Sequence, residues 1–173
     1  MQLDSTFYFD RLYPLQDKAL SVITKAETGF YLTGGTVVSR VDLMHRFSDD
    51  LDLFVNWNTN YTDWCSQIIE VLKRETQWTL SISMRQPYFT RLFLDRNDIS
   101  LKIELVNDVL SHVGEIRNHA VFGRIDSPEN ILAHKLCTVT PKQWEQVRWI
   151  EPPDCDQYIA DLFKLGEDLI LVK

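Results

Sequence analysis

Hydrophobic positions recur along the chain at two spacings, and these spacings predict its secondary structure. Apolar side chains at every third or fourth position predict helices over five segments: 15–26, 36–46, 62–76, 127–139 and 155–168. Short apolar runs predict strands over five others: 30–33, 51–55, 78–84, 88–94 and 99–106. Helices and strands therefore both contribute to the fold.

The order of these segments predicts an α/β (α+β) domain with one mixed β-sheet flanked by α-helices. The tetrapeptide Asp95–Asp98 predicts a tight turn between the last two strands. Ser127, followed by Pro128, is a typical N-cap for the helix over 127–139. A chain of 173 residues without linkers or repeats predicts a single domain over residues 1–173.

Three acidic side chains interrupt the apolar pattern of two predicted strands. Because strand side chains alternate between faces, Asp50 and Asp52 share one face of the strand over 51–55. Glu104 occupies the corresponding face of the strand over 99–106. If the two strands are neighbours, the three carboxylates form a cluster that a hard divalent cation such as Mg²⁺ would stabilise.

A glycine pair precedes these acids. Gly34 and Gly35 end a predicted strand and open a predicted helix, so the backbone there can approach a ligand closely. The N–H groups at a helix start favour phosphate, and Thr36 adds a hydroxyl donor. A phosphate cradle beside a metal site is the apparatus of phosphoryl or nucleotidyl transfer.

Each feature alone has a simpler interpretation. A single D-x-D pair often marks only the solvent face of a strand, and most glycine pairs are turns. The order of strand, Gly-Gly-Thr, helix and acidic strand is more specific than either. The sequence contains no P-loop motif, which argues against a P-loop nucleotide-binding protein. It contains no nucleophile-elbow motif either, which argues against an α/β-hydrolase.

Composition narrows the class of protein. The net charge of −7 argues against a general nucleic-acid-coating surface, although residues 64–148 carry eleven bases against ten acids. Three scattered cysteines suit a reduced compartment. An acidic N-terminus without a basic signal region, and the lack of a long apolar run, predict a cytoplasmic protein with no membrane contact.

The segment YLTGGTVVSRVDLMHRFSDDLDLF resembles the nucleotidyltransferase AbiEii/AbiGii toxin family, a branch of the DNA polymerase β-like nucleotidyltransferases. Three later segments are similar to further family motifs. LKIELVNDV is similar to the strand with the third acid, GRIDSPENILAHKLCTV to a helix with a lysine, and DCDQYIADLFKL to the final helix. Together these blocks span residues 30–165, nearly the whole chain.

The resemblance implies a minimal nucleotidyltransferase fold and a set of roles. Asp50, Asp52 and Glu104 would bind Mg²⁺, or Mn²⁺ in its place. Gly34, Gly35 and Thr36 would hold the phosphates of a nucleoside triphosphate (NTP). Lys135 would neutralise phosphate charge, and Asp161 would orient that lysine. Glu104 departs from the aspartate that is usual in the family, and the chain is shorter than full-length family toxins.

The resemblance also implies a reaction and partners. An acceptor hydroxyl would attack the α-phosphate of the NTP and receive a nucleoside monophosphate, with an RNA such as a tRNA as acceptor and an antitoxin protein as partner. Two alternatives stay open. One is a catalytically weak nucleotide-binding or protein-interaction module that retains the fold, and the other is transfer to a small molecule or a protein hydroxyl.

Overall fold

A seven-stranded mixed β-sheet forms the centre of this computed structural model, which describes residues 5–109 and 111–139. The strands are β1 (Tyr31–Thr33), β2 (Leu51–Asn56), β3 (Thr79–Gln86), β4 (Phe89–Arg96), β5 (Ile99–Asp108), β6 (Arg117–His119) and β7 (Gly123–Ile125). They lie in the order β3-β4-β5-β2-β1-β7-β6. The β2–β5 and β1–β7 pairs are parallel and the others antiparallel, which confirms the predicted mixed sheet.

Within the described residues, four helices connect and flank these strands. They are α1 (Tyr13–Ile23), α2 (Gly34–Val37), α3 (Tyr61–Lys73) and α4 (Pro128–Val139). Helical turns over Ser5–Phe7, Tyr8–Leu12 and Thr24–Ala26 extend α1 at both ends, and Val38–Asp42 extends α2 as a π-helical turn. Within the described residues, no helix is long and apolar enough to cross a membrane.

Helices α1 and α3 cover one face of the sheet and build the core there. Apolar residues at alternate positions of the central strands point into this core: Leu51, Leu53, Val55, Leu101, Ile103 and Leu105. They pack against the inner faces of the two helices, including Leu15 and Leu20 of α1 and Ile68 and Leu72 of α3. Burying this many large apolar side chains is the main stabilising contribution to the fold.

The intervening strand positions face the opposite side of the sheet, where helix α4 packs. In α4, the imidazole of His134 lies 5.7 Å from the ring of Phe54, measured between centroids. Its Nε2 atom lies 3.2 Å from Oδ2 of Asp108. Ser127 caps this helix as predicted, because its hydroxyl accepts a hydrogen bond from the backbone N–H of Asn130 at 3.0 Å. This second face carries the candidate site.

The helix predicted over 36–46 is wrong at both ends. It begins at Gly34 and ends at Asp42, and Met44 is 76% exposed with a left-handed φ of +49°. Val37 and Val38 are fully buried and anchor the helix in the core, so two apolar side chains at its start set its orientation. The remaining segment up to Asp50 is a loop that leads the chain into β2.

Candidate active site

The glycine pair lies against the acidic strand. Thr33, the last residue of β1, pairs with Asp52 of β2, and Gly34 follows with a φ of +70°. A Cβ atom on Gly34 would lie 2.6 Å from Oδ2 of Asp52, closer than van der Waals contact permits. Both the left-handed backbone and this contact require glycine, so the turn and the carboxylate form one site.

The second glycine faces a positive charge. A Cβ atom on Gly35 would lie 2.7 Å from Nη2 of Arg46 and 3.2 Å from Oγ of Ser48. The glycine pair therefore separates a carboxylate on one side from a guanidinium on the other. Arg46 was not among the predicted site residues, although it lies only four residues before Asp50.

The side chain of Thr36 makes its contacts within the protein. Its side chain is buried, and its hydroxyl lies within hydrogen-bond distance of the backbone carbonyl of Asp50 and 3.0 Å from Oγ of Ser48. These contacts fasten the start of α2 to the loop ahead of β2. The phosphate-binding role of Thr36 stays a prediction. Because its hydroxyl contacts Asp50 and Ser48, that role would fall to its backbone N–H at the start of the helix.

The three predicted acids lie on one face of the sheet. Asp52 and Glu104 are directly opposite each other in the parallel β2–β5 pair. Asp50 immediately precedes β2 and reaches the same region, because Nζ of Lys102 lies 2.7 Å from Oδ2 of Asp50 and 3.7 Å from Oε1 of Glu104. The neighbouring position of the two strands, which the sequence only assumed, is therefore observed.

Two basic side chains accompany these acids. Lys102 bridges Asp50 and Glu104, as described above. Arg91 on β4 lies opposite Glu104, and its Nε donates a hydrogen bond to Oε1 of Glu104 at 2.7 Å. Sequence analysis did not assign either cation to the site. Cross-strand pairing set by register brings them there.

Burial and mutual repulsion act on the acids. Burial, followed by the charges of Glu104 and Asp50, raises the pKa of Asp52 to about 7, against the opposing effects of Lys102 and Lys135. Burial also raises the pKa of Asp50, although the hydrogen bond from Lys102 lowers it. Burial is the main cause of both pKa shifts, and the nearby cations offset only part of it.

Lys135 faces inward from α4. It is 5% exposed, whereas Leu136 is 49% exposed, so the lysine and not the leucine is the buried residue at this end of the helix. Ile131 and Lys135 are four residues apart and share the buried face of the helix, which turns Leu136 outward. The positive charge of Lys135 acts on Asp52, as its effect on the pKa of that carboxyl shows.

A buried aspartate supports the glycine turn from behind. Asp126 is fully buried and accepts hydrogen bonds from the hydroxyl of Thr33, from Nδ2 of Asn130 at 3.0 Å and from the backbone N–H of Ser127 at 2.8 Å. Nε2 of His112 lies 2.9 Å from the same carboxylate. Asp126 thereby fixes the residue that precedes Gly34 to the start of α4. Asp161, the remaining predicted site residue, lies outside the described residues.

The chemistry of these donors fits a divalent cation. Asp50, Asp52 and Glu104 offer carboxylate oxygens, the ligands that Mg²⁺ and Mn²⁺ prefer, and Asp52 is buried beside the two other acids. Among residues 5–109 and 111–139, no three acidic, histidine or cysteine side chains converge tightly enough to hold an ion. Lys102 and Arg91 lie 2.7 Å from oxygens of Asp50 and Glu104, so two of the three acids already have a cationic partner.

Comparison with known proteins places the chain in a family. The sequence profile of the nucleotidyl transferase AbiEii toxin family, described as a type IV toxin–antitoxin system, matches residues 19–149. The chain belongs to this family. The match includes the glycine pair, all three predicted carboxylates and Lys135, and it confirms the resemblance found in the sequence motifs. No curated protein sequence matches the chain.

Three solved structures share the fold of this AbiEii-family chain, and two of them are described as nucleotidyltransferases. JHP933 from Helicobacter pylori is 21% identical with a TM-score of 0.61, over 87% of this chain and 64% of that one. A putative nucleotidyltransferase from H. pylori is 22% identical, with a TM-score of 0.53 over 78% and 61%. MenT4, a nucleotidyltransferase toxin from Mycobacterium tuberculosis H37Rv, is 17% identical, with a TM-score of 0.54 over 73% and 51%. The chain thus spans between half and two thirds of the length of each.

Proposed function

We propose that this chain transfers a nucleoside monophosphate from an NTP to a hydroxyl acceptor in a Mg²⁺-dependent reaction. The observation that carries the proposal is the contact between Gly34 and the carboxylate of Asp52. It puts a backbone turn suited to phosphate directly beside a carboxylate suited to a metal ion. An NTP bound with its phosphates along the turn would then bring its metal-binding oxygens to the acids.

The roles in this proposal follow the positions of the side chains. Asp50, Asp52 and Glu104 would hold the divalent cation, which supplies positive charge to the phosphates during transfer. Gly34 and Gly35 leave the backbone open for the triphosphate, and Arg46 lies beside Gly35 as a further positive group. The acceptor oxygen forms a new bond to the α-phosphorus, and the bond from that phosphorus to the pyrophosphate oxygen breaks.

The positive charge of Lys135 suits the pyrophosphate leaving group of this reaction. Its side chain is buried in α4 and acts electrostatically on Asp52, so it lies in the region where the phosphates would bind. A fixed ammonium in a partly desolvated site stabilises charge that moves onto pyrophosphate. Asp161 would orient this ammonium, as the family resemblance implies.

Membership in a toxin family suggests the biological setting. We propose an RNA acceptor, such as a tRNA, and an antitoxin protein that controls the activity. The reaction would take place in the cytoplasm, where NTPs and tRNA occur together. These proposals rest on the family and on one named relative, MenT4, which is itself described as a nucleotidyltransferase toxin.

Incubation with each α-labelled NTP, Mg²⁺ and total cellular RNA tests the proposal. We expect label from at least one NTP on RNA, no label when EDTA removes the metal, and much weaker label with Asp52→Asn. Label on the protein or on a small molecule would show a different acceptor. No label from any NTP, with a folded wild-type chain, would contradict nucleotidyl transfer.

One observation favours a second candidate function. Lys102 and Arg91 already pair with Asp50 and Glu104 at 2.7 Å each, so the acids are partly neutralised without a metal ion. A nucleotide-binding or protein-interaction module with weakened chemistry would retain such pairs as structural contacts. NTP binding without any transfer in the labelling experiment would support this second function.

A further inference from the structure

The ammonium group of Lys102 lies between two of the three acids, where an ion shared by those acids would lie. We propose that Lys102 serves as a permanent cation of the site, so that the acids take one divalent cation instead of two. The inference rests on the proposed function only in treating these acids as metal ligands.

The distances make Lys102 and a bridging ion mutually exclusive. Nζ of Lys102 lies 2.7 Å from Oδ2 of Asp50 and 3.7 Å from Oε1 of Glu104. An Mg²⁺ ion bound to both acids would need oxygens at about 2.1 Å, in the same space. The strand fixes this arrangement, because Lys102 and Glu104 are two residues apart on β5 and share one face.

Charge balance also favours one divalent cation over two. Three ionised acids contribute three negative charges, and Lys102 and Arg91 return two positive charges through their contacts with Asp50 and Glu104. One divalent cation then gives these five groups a net charge of +1 and two would give +3, and the charge of Lys135, which also acts on Asp52, makes either total more positive. Three acids without adjacent cations reach +1 only with two divalent ions, the arrangement of two-metal sites.

The remaining place for a divalent cation is beside Asp52. The Asp52 carboxylate lies against Gly34, on the glycine side of the cluster, whereas the oxygens of Asp50 and Glu104 nearest Lys102 and Arg91 face those cations. A single ion at Asp52 and the free side of Asp50 would meet the phosphates at the glycine turn. Lys102 then carries the positive charge on the Glu104 side, so Glu104 would pair with Lys102 and Arg91 instead of binding the ion, which narrows the ligand set of the proposed function to Asp50 and Asp52.

Counting bound Mn²⁺ by electron paramagnetic resonance, with metal alone and the full chain, tests this inference. We expect one Mn²⁺ per wild-type chain and two per Lys102→Met chain. Removal of a like charge at contact distance should also tighten Mn²⁺ binding by about tenfold or more. Lys102→Arg, which keeps the charge, should still take one ion.

Lys73→Met is the matched control, because it removes the same charge from an exposed position of α3 on the other face of the sheet. It should bind one Mn²⁺ with wild-type affinity. Circular dichroism and thermal unfolding confirm that each variant is folded. The wild-type count does not depend on any variant, so it decides the question even if Lys102→Met fails to fold.

Two Mn²⁺ ions in the wild-type chain would overturn the inference, as would no Mn²⁺ binding or an unchanged count and affinity in a folded Lys102→Met chain. Its failure differs from failure of the proposed function. Labelled transfer by a wild-type chain that holds two ions keeps the function and rejects the inference. One ion in the wild-type chain and two in Lys102→Met, without transfer by the wild-type chain, would keep the inference and reject the proposed function.

Discussion

The two faces of the central strands are held by different forces. On one face, Leu51, Leu53 and Ile103 pack under α1 and α3 with almost no exposed surface. On the other, the intervening residues Asp52 and Glu104 meet charged neighbours and are only partly buried. The apolar face supplies stability, whereas the polar face holds charges whose repulsion reduces it.

Adjacent residues of one strand therefore have different roles, one in the candidate site and the next in the core. Asp52 and Leu53 are neighbours in sequence, yet one lies beside the glycine turn and the other in the core. Substitutions at the two positions should therefore affect different measurements. Four experiments test how complete this separation is.

The largest effects are expected from Asp52→Asn and Leu53→Ala. Asp52→Asn should reduce nucleotidyl transfer by about a hundredfold to a thousandfold, the scale on which one essential electrostatic group acts. Leu53→Ala should lower the free energy of unfolding by about 2–5 kcal/mol, because it leaves a cavity in the core. Labelled transfer and urea unfolding measure the two. A stability loss in Asp52→Asn as large as that in Leu53→Ala would break the comparison.

Lys135→Met extends the comparison to helix α4. Methionine fills a similar volume, so the fold should survive, while turnover should fall by about a hundredfold because a fixed ammonium is lost. NTP affinity should change much less, since the charge matters most as pyrophosphate leaves. Leu136→Ala is the control on the exposed side of the helix. Equal turnover in wild type and Lys135→Met would remove Lys135 from the site.

The pH dependence of stability should reveal the charge repulsion directly. In the folded chain the pKa of Asp52 is about 7, above its ordinary value of 3.8, so the folded state holds this proton more tightly than the unfolded state. The metal-free protein should therefore lose stability as pH rises from about 4 to 7, by a few kcal/mol at most. Asp52→Asn should be the more stable chain at pH 8 and lose this dependence. Parallel pH profiles for the two chains, measured by thermal unfolding in EDTA, would contradict it.

The smallest effect is expected at Gly35. A Cβ atom there meets the mobile end of Arg46, which can move aside, so Gly35→Ala should fold with little loss of stability. NTP affinity should fall by about tenfold, on the scale of one charge-assisted contact, and Gly35→Val should reduce it further. Calorimetric titration measures both. Wild-type affinity in a folded Gly35→Val chain would place the phosphates elsewhere.

Sequence patterns predicted the apolar face of the sheet better than the polar one. Strands β2 to β5 and helices α1 and α3 appear close to their expected positions, because each buries a regular series of side chains. Strands β6 and β7 were missed. Each has three residues, too few for an alternating pattern to emerge.

The acids could be predicted to lie together, but their partners could not. Alternation along each strand predicts that Asp52 and Glu104 lie on the face opposite the apolar residues. Only the neighbouring position of β2 and β5 had to be assumed. The contacts of Arg91 and Arg46 depend on strand register and on the path of the loop before β2, which no local pattern encodes. The inward direction of Lys135 depends in the same way on how α4 packs.

The parallel pairing of β2 with β5 also bears on how the chain folds. Strands β3, β4 and β5 can form by local hairpin closure, whereas Asp52 and Glu104 meet only after about fifty residues of intervening chain are closed into a loop. Contacts of such sequence separation form slowly. During synthesis, the glycine turn and Asp52 leave the ribosome well before Glu104, so a partly made chain has no assembled acid cluster. The acid cluster therefore forms late in folding, when β5 pairs with β2.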